Sequence, residues 1–255
     1  MSPTEREQRV LSIFRKWRGC TKCGLGELRE QKKLKTDGTA GRIVMPDGNV
    51  DADMVIIGIG PGEEEDLEGA PFIGPSGDIL NEYLEAVKID RRSVFVMNIV
   101  QCRPFSISTD ERSGRKREEN RDPSSKERAA CRPFWEEVLY EIDPLLVVAM
   151  GKPAVLEVTG QRSVTMRNVQ GQVQHCVIRG KATDVTYPVM SMYHPAFLAR
   201  SGDKRKIGVW GQALVAWRRA AYLLDKLRQV YWDTPMPDRG YKMRDMFLVQ
   251  GGLLT

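Results

Sequence analysis

Histidine is scarce in this chain, with two among 255 residues, and no apolar run approaches membrane-spanning length. The second absence excludes a membrane-crossing helix. The charged N-terminus does not fit a secretory signal either, so a cytoplasmic location is expected. The cysteines number five, and an odd number without a secretory signal argues against a disulfide framework and raises metal or redox chemistry instead. No internal repeat is present, and nothing marks a second domain. An excess of one charge sign is also nearly missing: the formal net charge is +5, which does not by itself decide for a polyanion partner. Local Lys and Arg clusters nevertheless suit one. With an ordinary apolar content of 41%, the chain can bury one large core. One domain over residues 1–229, with a C-terminal extension over 230–255, is the expected organisation.

What is present centres on Gly58-Ile59-Gly60-Pro61-Gly62-Glu63-Glu64-Glu65-Asp66, which runs on to Pro71-Phe72-Ile73-Gly74. Just upstream, Met54-Val55-Ile56-Ile57 has the pattern of a buried parallel strand, so the glycines sit where a strand ends. Such a loop lets backbone N–H groups approach a ligand, in the crevice where open α/β sheets bind one. Four adjacent carboxylates repel one another unless some orient water or meet a substrate. The plain alternative is a solvated acidic turn.

Three more buried strands follow, over residues 94–100, 145–151 and 187–193, which gives an α/β fold with a mainly parallel, four-stranded central sheet. Val173-Gln174-His175-Cys176-Val177-Ile178 also reads as a strand. Its alternation sets His175 and Cys176 on opposite faces and leaves Cys176 as core. Asn98 interrupts the second buried strand, and a buried amide there either ties down a loop or reads a ligand's polar edge. His194-Pro195 follows the last strand, at the same sheet edge as Gly60 and Asn98, so three polar elements converge on one crevice.

The flanking segments carry helix and loop signals. Apolar positions Val10, Leu11, Phe14 and Trp17 predict a helix over residues 5–18, delivering Cys20-Thr21-Lys22-Cys23. That spacing suits an iron–sulfur cluster, a zinc site or a thiol redox pair, the last disfavoured because no strand precedes it. Cys102-Arg103-Pro104 and Cys131-Arg132-Pro133 supply two further thiolates. Residues 26–53, with a turn signal at Pro46-Asp47-Gly48-Asn49, read as a long basic loop or a loop holding a small hairpin, and Ser76 reads as the cap of a helix through Ile79, Leu80, Tyr83, Leu84 and Val87. Residues 106–128, rich in Ser and mixed charge within an inserted basic segment 105–128, read as a mobile exposed loop or a phosphate-contacting arm. A long amphipathic helix is expected over 208–229.

Taken together and in order, these motifs resemble the family four uracil-DNA glycosylases, the iron–sulfur branch of their superfamily. They are Cys20-x-x-Cys23, the Gly58 to Gly74 loop, Asn98 to Pro104, Asn120-Arg121-Asp122-Pro123, Cys131-Arg132-Pro133 and Tyr193-His194-Pro195. The resemblance implies a three-layer α/β/α domain with a [4Fe–4S] cluster on Cys20, Cys23, Cys102 and Cys131. It implies a cytoplasmic, nucleoid-associated enzyme acting on uracil in single- or double-stranded DNA. Such an enzyme flips the base into its pocket, against Ile59, Gly60 and Pro61. Phe72 would stack on it, and Asn98 would pair with its amide edge. His194 would stabilise the departing anion, while Glu65 or Asp66 would position water. Arg121, Arg200 and Lys204 would contact DNA.

Two departures accompany the likeness. The family usually carries Glu where this chain has Ile59, and the segment 106–119 is longer than usual. In a related covalent-binding branch an insertion near here carries a reactive His; this one has none, so no covalent adduct is expected. Ile59, the added segment and the tail motivate an alternative, a catalytically weak or inactive glycosylase-like protein that binds DNA in a replication or repair complex. A zinc-stabilised nucleotide-binding domain is a third reading.

Overall fold

The computed structural model describes residues 4–109, 114–179, 184–201 and 208–233. Its centre is a sheet of short apolar strands. Four of these, β2 (Met54–Gly58), β3 (Phe95–Asn98), β6 (Leu146–Met150) and β8 (Val185–Met192), run parallel in the order β3-β2-β6-β8. Nearly every residue in them is buried, as expected for strands covered on both faces. The four-stranded expectation is corrected to six: β1 (Asp47–Gly48) pairs antiparallel with β3, and β7 (Val173–Ile178) pairs antiparallel with β8. The physical reason lies at the edges. A two-residue strand leaves no periodic signal, and β7 alternates because only one of its faces is covered.

Helices flank the sheet. α1 (Glu5–Trp17) opens with a capping box at Thr4 and packs along α5 (Ser125–Ile142), itself capped by Ser124. α4 (Gly74–Ala86) packs against α8 (Pro195–Arg200) and α9 (Val209–Asp233). The chain leaves β2 toward β3 on one side and later enters β6 on the other. Right-handed crossovers therefore send α4 and α5 to opposite faces and open a crevice at the strand ends.

Four local expectations change. Residues 26–35, expected as part of a loop, belong to α2 (Gly24–Lys35), which buries Leu25, Gly26 and Arg29 and so carries little apolar period. Ser76 does not cap α4: the helix begins earlier, after Ile73, with Pro75 in its first turn. The acidic run is α3 (Glu63–Glu68), and the helix N-terminus favours the four negative charges that a loop would leave repelling. Residues 105–120, expected as mobile loop, form an antiparallel hairpin of β4 (Phe105–Thr109) and β5 (Lys116–Asn120). Two short helices, α6 (Lys152–Thr159) and α7 (Met166–Val169), complete the order. The last helix continues four residues past the expected boundary at 229, to Asp233; residues 234–255 and Lys204 lie outside the described residues. No helix among the described residues is long and apolar enough to cross a membrane.

Candidate active site and cysteine site

At the carboxyl ends of the parallel strands lies a cleft of about 260 Å³ lined by Ile59, Gly60, Pro61, Phe72, Asn98 and His194. Glycine at 58 makes this convergence possible. A Cβ there would stand 2.6 Å from Phe72 Cζ and collide with Asn98 Oδ1, so both side chains crowd over the strand end only because none exists. Across the crevice, Gly151 has φ +88°, and a Cβ on it would meet Ile59 Cδ1 at 2.9 Å and His194 Cβ at 3.0 Å. The Phe72 and His194 rings lie 6.5 Å apart between centroids, inclined by 29°.

Each polar group in the cleft has a distinct state. Asn98 is 2% exposed, and its Nδ2 has no partner among the described residues. Its backbone carbonyl accepts from Gln101 Nε2 at 2.5 Å, which fixes the main chain and leaves the amide head free. A buried unsatisfied donor costs about 1–3 kcal/mol, a cost that a bound acceptor removes. His194 caps α8: its Nδ1 accepts from the Ala196 N–H at 3.2 Å, so the ring proton sits on Nε2. Burial, reinforced by the nearby Arg200 cation, pushes the imidazole down to about 4, and the ring is neutral at pH 7.

Adjacent carboxylates of α3 go to different places. Glu65 lines the cleft and accepts from the Gly62 N–H at 2.5 Å and from the Phe72 N–H. Burial raises its carboxyl, and those two N–H groups pull it back. Phe72 has φ +55°, a strained conformation for a non-glycine residue, and the Glu65 contact helps hold it. Asp66 is not brought to the cleft. Its carboxylate accepts from Gly41 N–H (3.3 Å) and Arg42 N–H (3.1 Å) and pairs with Lys32 Nζ at 3.0 Å. Successive helix residues point about 100° apart, so one of the two must face away.

The residues expected to contact DNA also divide. Arg200 lines the cleft at its exposed rim. Arg121 lines it too, but its guanidinium is held by Glu127 at 2.7 and 2.8 Å and by the Phe105 carbonyl at 3.2 Å. Sequence reasoning missed Ser76, Asn120, Asp122 and the exposed Phe197 as lining residues. The Asn120 to Pro123 motif was the available signal for two of them. For Ser76, reading it as a cap hid its position in the first turn of α4.

A second, small cavity gathers Cys20, Cys23, Cys102 and Cys131 between Trp17, Leu25 and Phe134. None is in a disulfide, and Cys176 lies elsewhere, in β7. Arg29 Nη1 donates to Cys102 Sγ at 3.6 Å. Burial pushes the Cys102 thiol up to about 11, with Arg29 pulling it down, and the Cys131 thiol up to about 12, with the Gln101 N–H opposing. Among the described residues, no group of three or more His, Cys, Asp or Glu side chains is gathered so as to hold one metal ion.

The sequence model described as the Uracil DNA glycosylase superfamily matches residues 45–214. The Type-4 uracil-DNA glycosylase of Thermotoga maritima is 31% identical over 204 residues, which is 79% of this chain and 90% of that protein. Proteins of the same name from Archaeoglobus fulgidus and Saccharolobus solfataricus are 30% and 28% identical, over 72% and 74% of this chain and 80% and 77% of theirs.

Proposed function

Because this chain belongs to the uracil-DNA glycosylase superfamily, we propose that it excises uracil from single- or double-stranded DNA by hydrolysing the N-glycosidic bond. The observation that carries this reading is the buried, unpartnered Asn98 amide beside the Phe72 ring. A base inside a duplex is out of reach, so the nucleotide is extruded into the cleft. There Asn98 Nδ2 donates to a uracil carbonyl and Oδ1 accepts from the ring N–H. Cytosine opposes this pair with a donor facing a donor and leaves buried groups unpaired. Phe72 covers the face of the ring.

As the glycosidic bond breaks, negative charge gathers on the base and positive charge on the sugar. The neutral His194 ring donates its Nε2 proton in a hydrogen bond to the base oxygen, as a fixed dipole that needs no rearrangement. Glu65 is the carboxylate we assign to the attacking water, through the lone pairs its backbone partners leave unused. Asp66 instead anchors the preceding loop. Arg200 meets a DNA phosphate, and Arg121 shapes the wall from within its ion pair with Glu127.

We further propose a [4Fe–4S] cluster on Cys20, Cys23, Cys102 and Cys131. The donor set fits: four thiols and no carboxylate surround one apolar cavity. When bound, the cluster supplies the positive charge that keeps these buried sulfurs ionised.

A specific observation supports the second reading, a weak or inactive glycosylase-like DNA-binding protein: the cleft wall at 59 is an apolar side chain packed toward Gly151 and His194. One experiment separates the two. Purified protein is incubated with single- and double-stranded oligonucleotides carrying uracil or other deaminated bases, and alkali-labile sites are counted. Uracil release, with Asn98→Asp lowering discrimination against cytosine by about a hundredfold or more, is the expected result. DNA binding without any base release would replace the first reading with the second.

A further inference from the structure

A larger cavity, about 620 Å³, opens on the other side of α3, between the ends of α1 and α2 and residues 38–45. Five cations face it, Arg15, Arg18, Arg29, Lys33 and Arg42, against the carboxylates Glu30 and Glu68. Arg29 is spent on Glu30, at 2.5 Å, and on Cys102. Among the described residues Arg15, Arg18, Lys33 and Arg42 form no ion pair; all four are exposed, and Arg42 reaches only the Glu68 carbonyl at 3.5 Å. A helix end supplies about half a negative charge, and two such ends leave the cavity positive. The floor is apolar, with Leu11 44% exposed beside Phe14 and Met45.

Cations on the rim and an aromatic and aliphatic floor together match a single nucleic-acid strand, whose phosphates take the charges while its bases cover the apolar surface. A free phosphate would use only the rim. Its position adds to the match. α3 is the shared wall: Gly62 and Glu65 face the cleft, whereas Glu68 and Gly69 face this cavity. Six helical residues span about 9 Å, so a strand leaving the cleft reaches the cavity within about two or three nucleotides.

We propose that this cavity binds single-stranded DNA flanking the extruded nucleotide, through phosphate contacts to Arg15, Arg18, Lys33 and Arg42, base stacking on Phe14 and apolar packing on Leu11. The proposal rests on the glycosylase reading for the direction of the strand, but its test needs no catalysis. Binding of a uracil-free single strand of about 12 nucleotides to the full-length protein is followed by anisotropy at several salt concentrations, for wild type and for Arg18→Glu with Lys33→Glu. The double variant is expected to lose at least about tenfold in affinity, and its salt slope to fall by about 1.4 in magnitude. Wild-type affinity and slope in a variant with an unchanged melting curve would overturn the proposal. Should the double variant melt early, Leu11→Trp supplies the reading: its fluorescence is expected to be quenched by the strand and not by inorganic phosphate. Silence toward the strand, or equal quenching by thymidine 5′-monophosphate at the same phosphate concentration, would also overturn it. Uracil release is scored separately. A protein that binds the strand here yet excises nothing loses the glycosylase reading alone, and one that excises uracil with an indifferent double variant loses the strand path alone.

Discussion

A methyl group added at Gly58 would overlap Asn98 Oδ1 and approach Phe72 Cζ to 2.6 Å, whereas one added at Gly62 would meet Glu65 Oε2 at 3.4 Å. The two glycines share one loop but carry unequal constraints. Gly58→Ala is therefore expected to cost about 2–3 kcal/mol through overpacking. By displacing Asn98 and Phe72, it should also lower excision about a hundredfold. Gly62→Ala should leave excision within about threefold, because 3.4 Å is ordinary contact. Urea unfolding and single-turnover excision on the two variants check the contrast, and equal losses would mean that crowding at the β2 end does not set the pocket.

His194 makes a separate residue-scale prediction, on pH. Its folded-state value of about 4 lies below the ordinary 6.5, so the unfolded chain takes up this proton first as pH falls. Stability from keeping the ring neutral is complete above pH 6.5 and is lost as pH drops from 6.5 to 4, by at most about 3–4 kcal/mol. Protonating Nδ1 also removes the acceptor that caps α8. His194→Gln should lack this component of the pH dependence; identical unfolding profiles for variant and wild type between pH 4 and 7 would contradict the buried neutral ring.

At the scale of the element, the β4–β5 hairpin is held by buried charge rather than by an apolar face. Arg103, 4% exposed, donates to Asn120 Oδ1 and Glu118 at 2.8 Å each, and Lys32 joins Glu118 at 2.8 Å and Asp66 at 3.0 Å. Lys32 thus ties the hairpin to α3, and Arg103, next to Cys102 in sequence, orients the Asn120 wall of the cleft. Arg103→Ala is expected to cost about 2 kcal/mol. Amide exchange should rise through residues 105–109 and 116–120 while the central sheet stays protected. Unchanged exchange in the hairpin would show that its backbone pairing suffices. Five exposed polar residues in β5 explain why 106–128 looked like a loop: neither alternation nor apolar content marks a strand supported only by its neighbour and by ion pairs.

For the whole molecule, the cysteine cavity joins parts of the chain that are far apart in sequence: the segment between α1 and α2, the turn after β3, and α5. Ligands bridging such distant segments cross-link the fold and add binding free energy to folding free energy. Cys131→Ser should accordingly abolish the brown colour expected of the purified protein and lower its unfolding free energy by several kcal/mol. Cys176→Ser, in β7, should leave the colour intact. Absorbance spectra with iron and sulfide analysis decide this, and a colourless wild type with stoichiometric zinc would replace the proposed cluster.

The sequence by itself determined the parallel strands, the glycine turns that end them, the helix that brings the first cysteine pair, and the set of residues that could share a cleft. These follow from local rules of hydrophobic run, strand end and spacing, which a stretch of chain carries wherever it sits. Tertiary structure alone decided how β1 and β7 pair at the sheet edges, the hairpin, and which acid faces the cleft. Glu65 and Asp66 are neighbours in an acidic run, and nothing local distinguishes them. The difference is the rotational phase of α3, fixed by Gly62 and Phe72 on one side and by Gly41, Arg42 and Lys32 on the other. That phase belongs to packing between segments, which no single segment encodes.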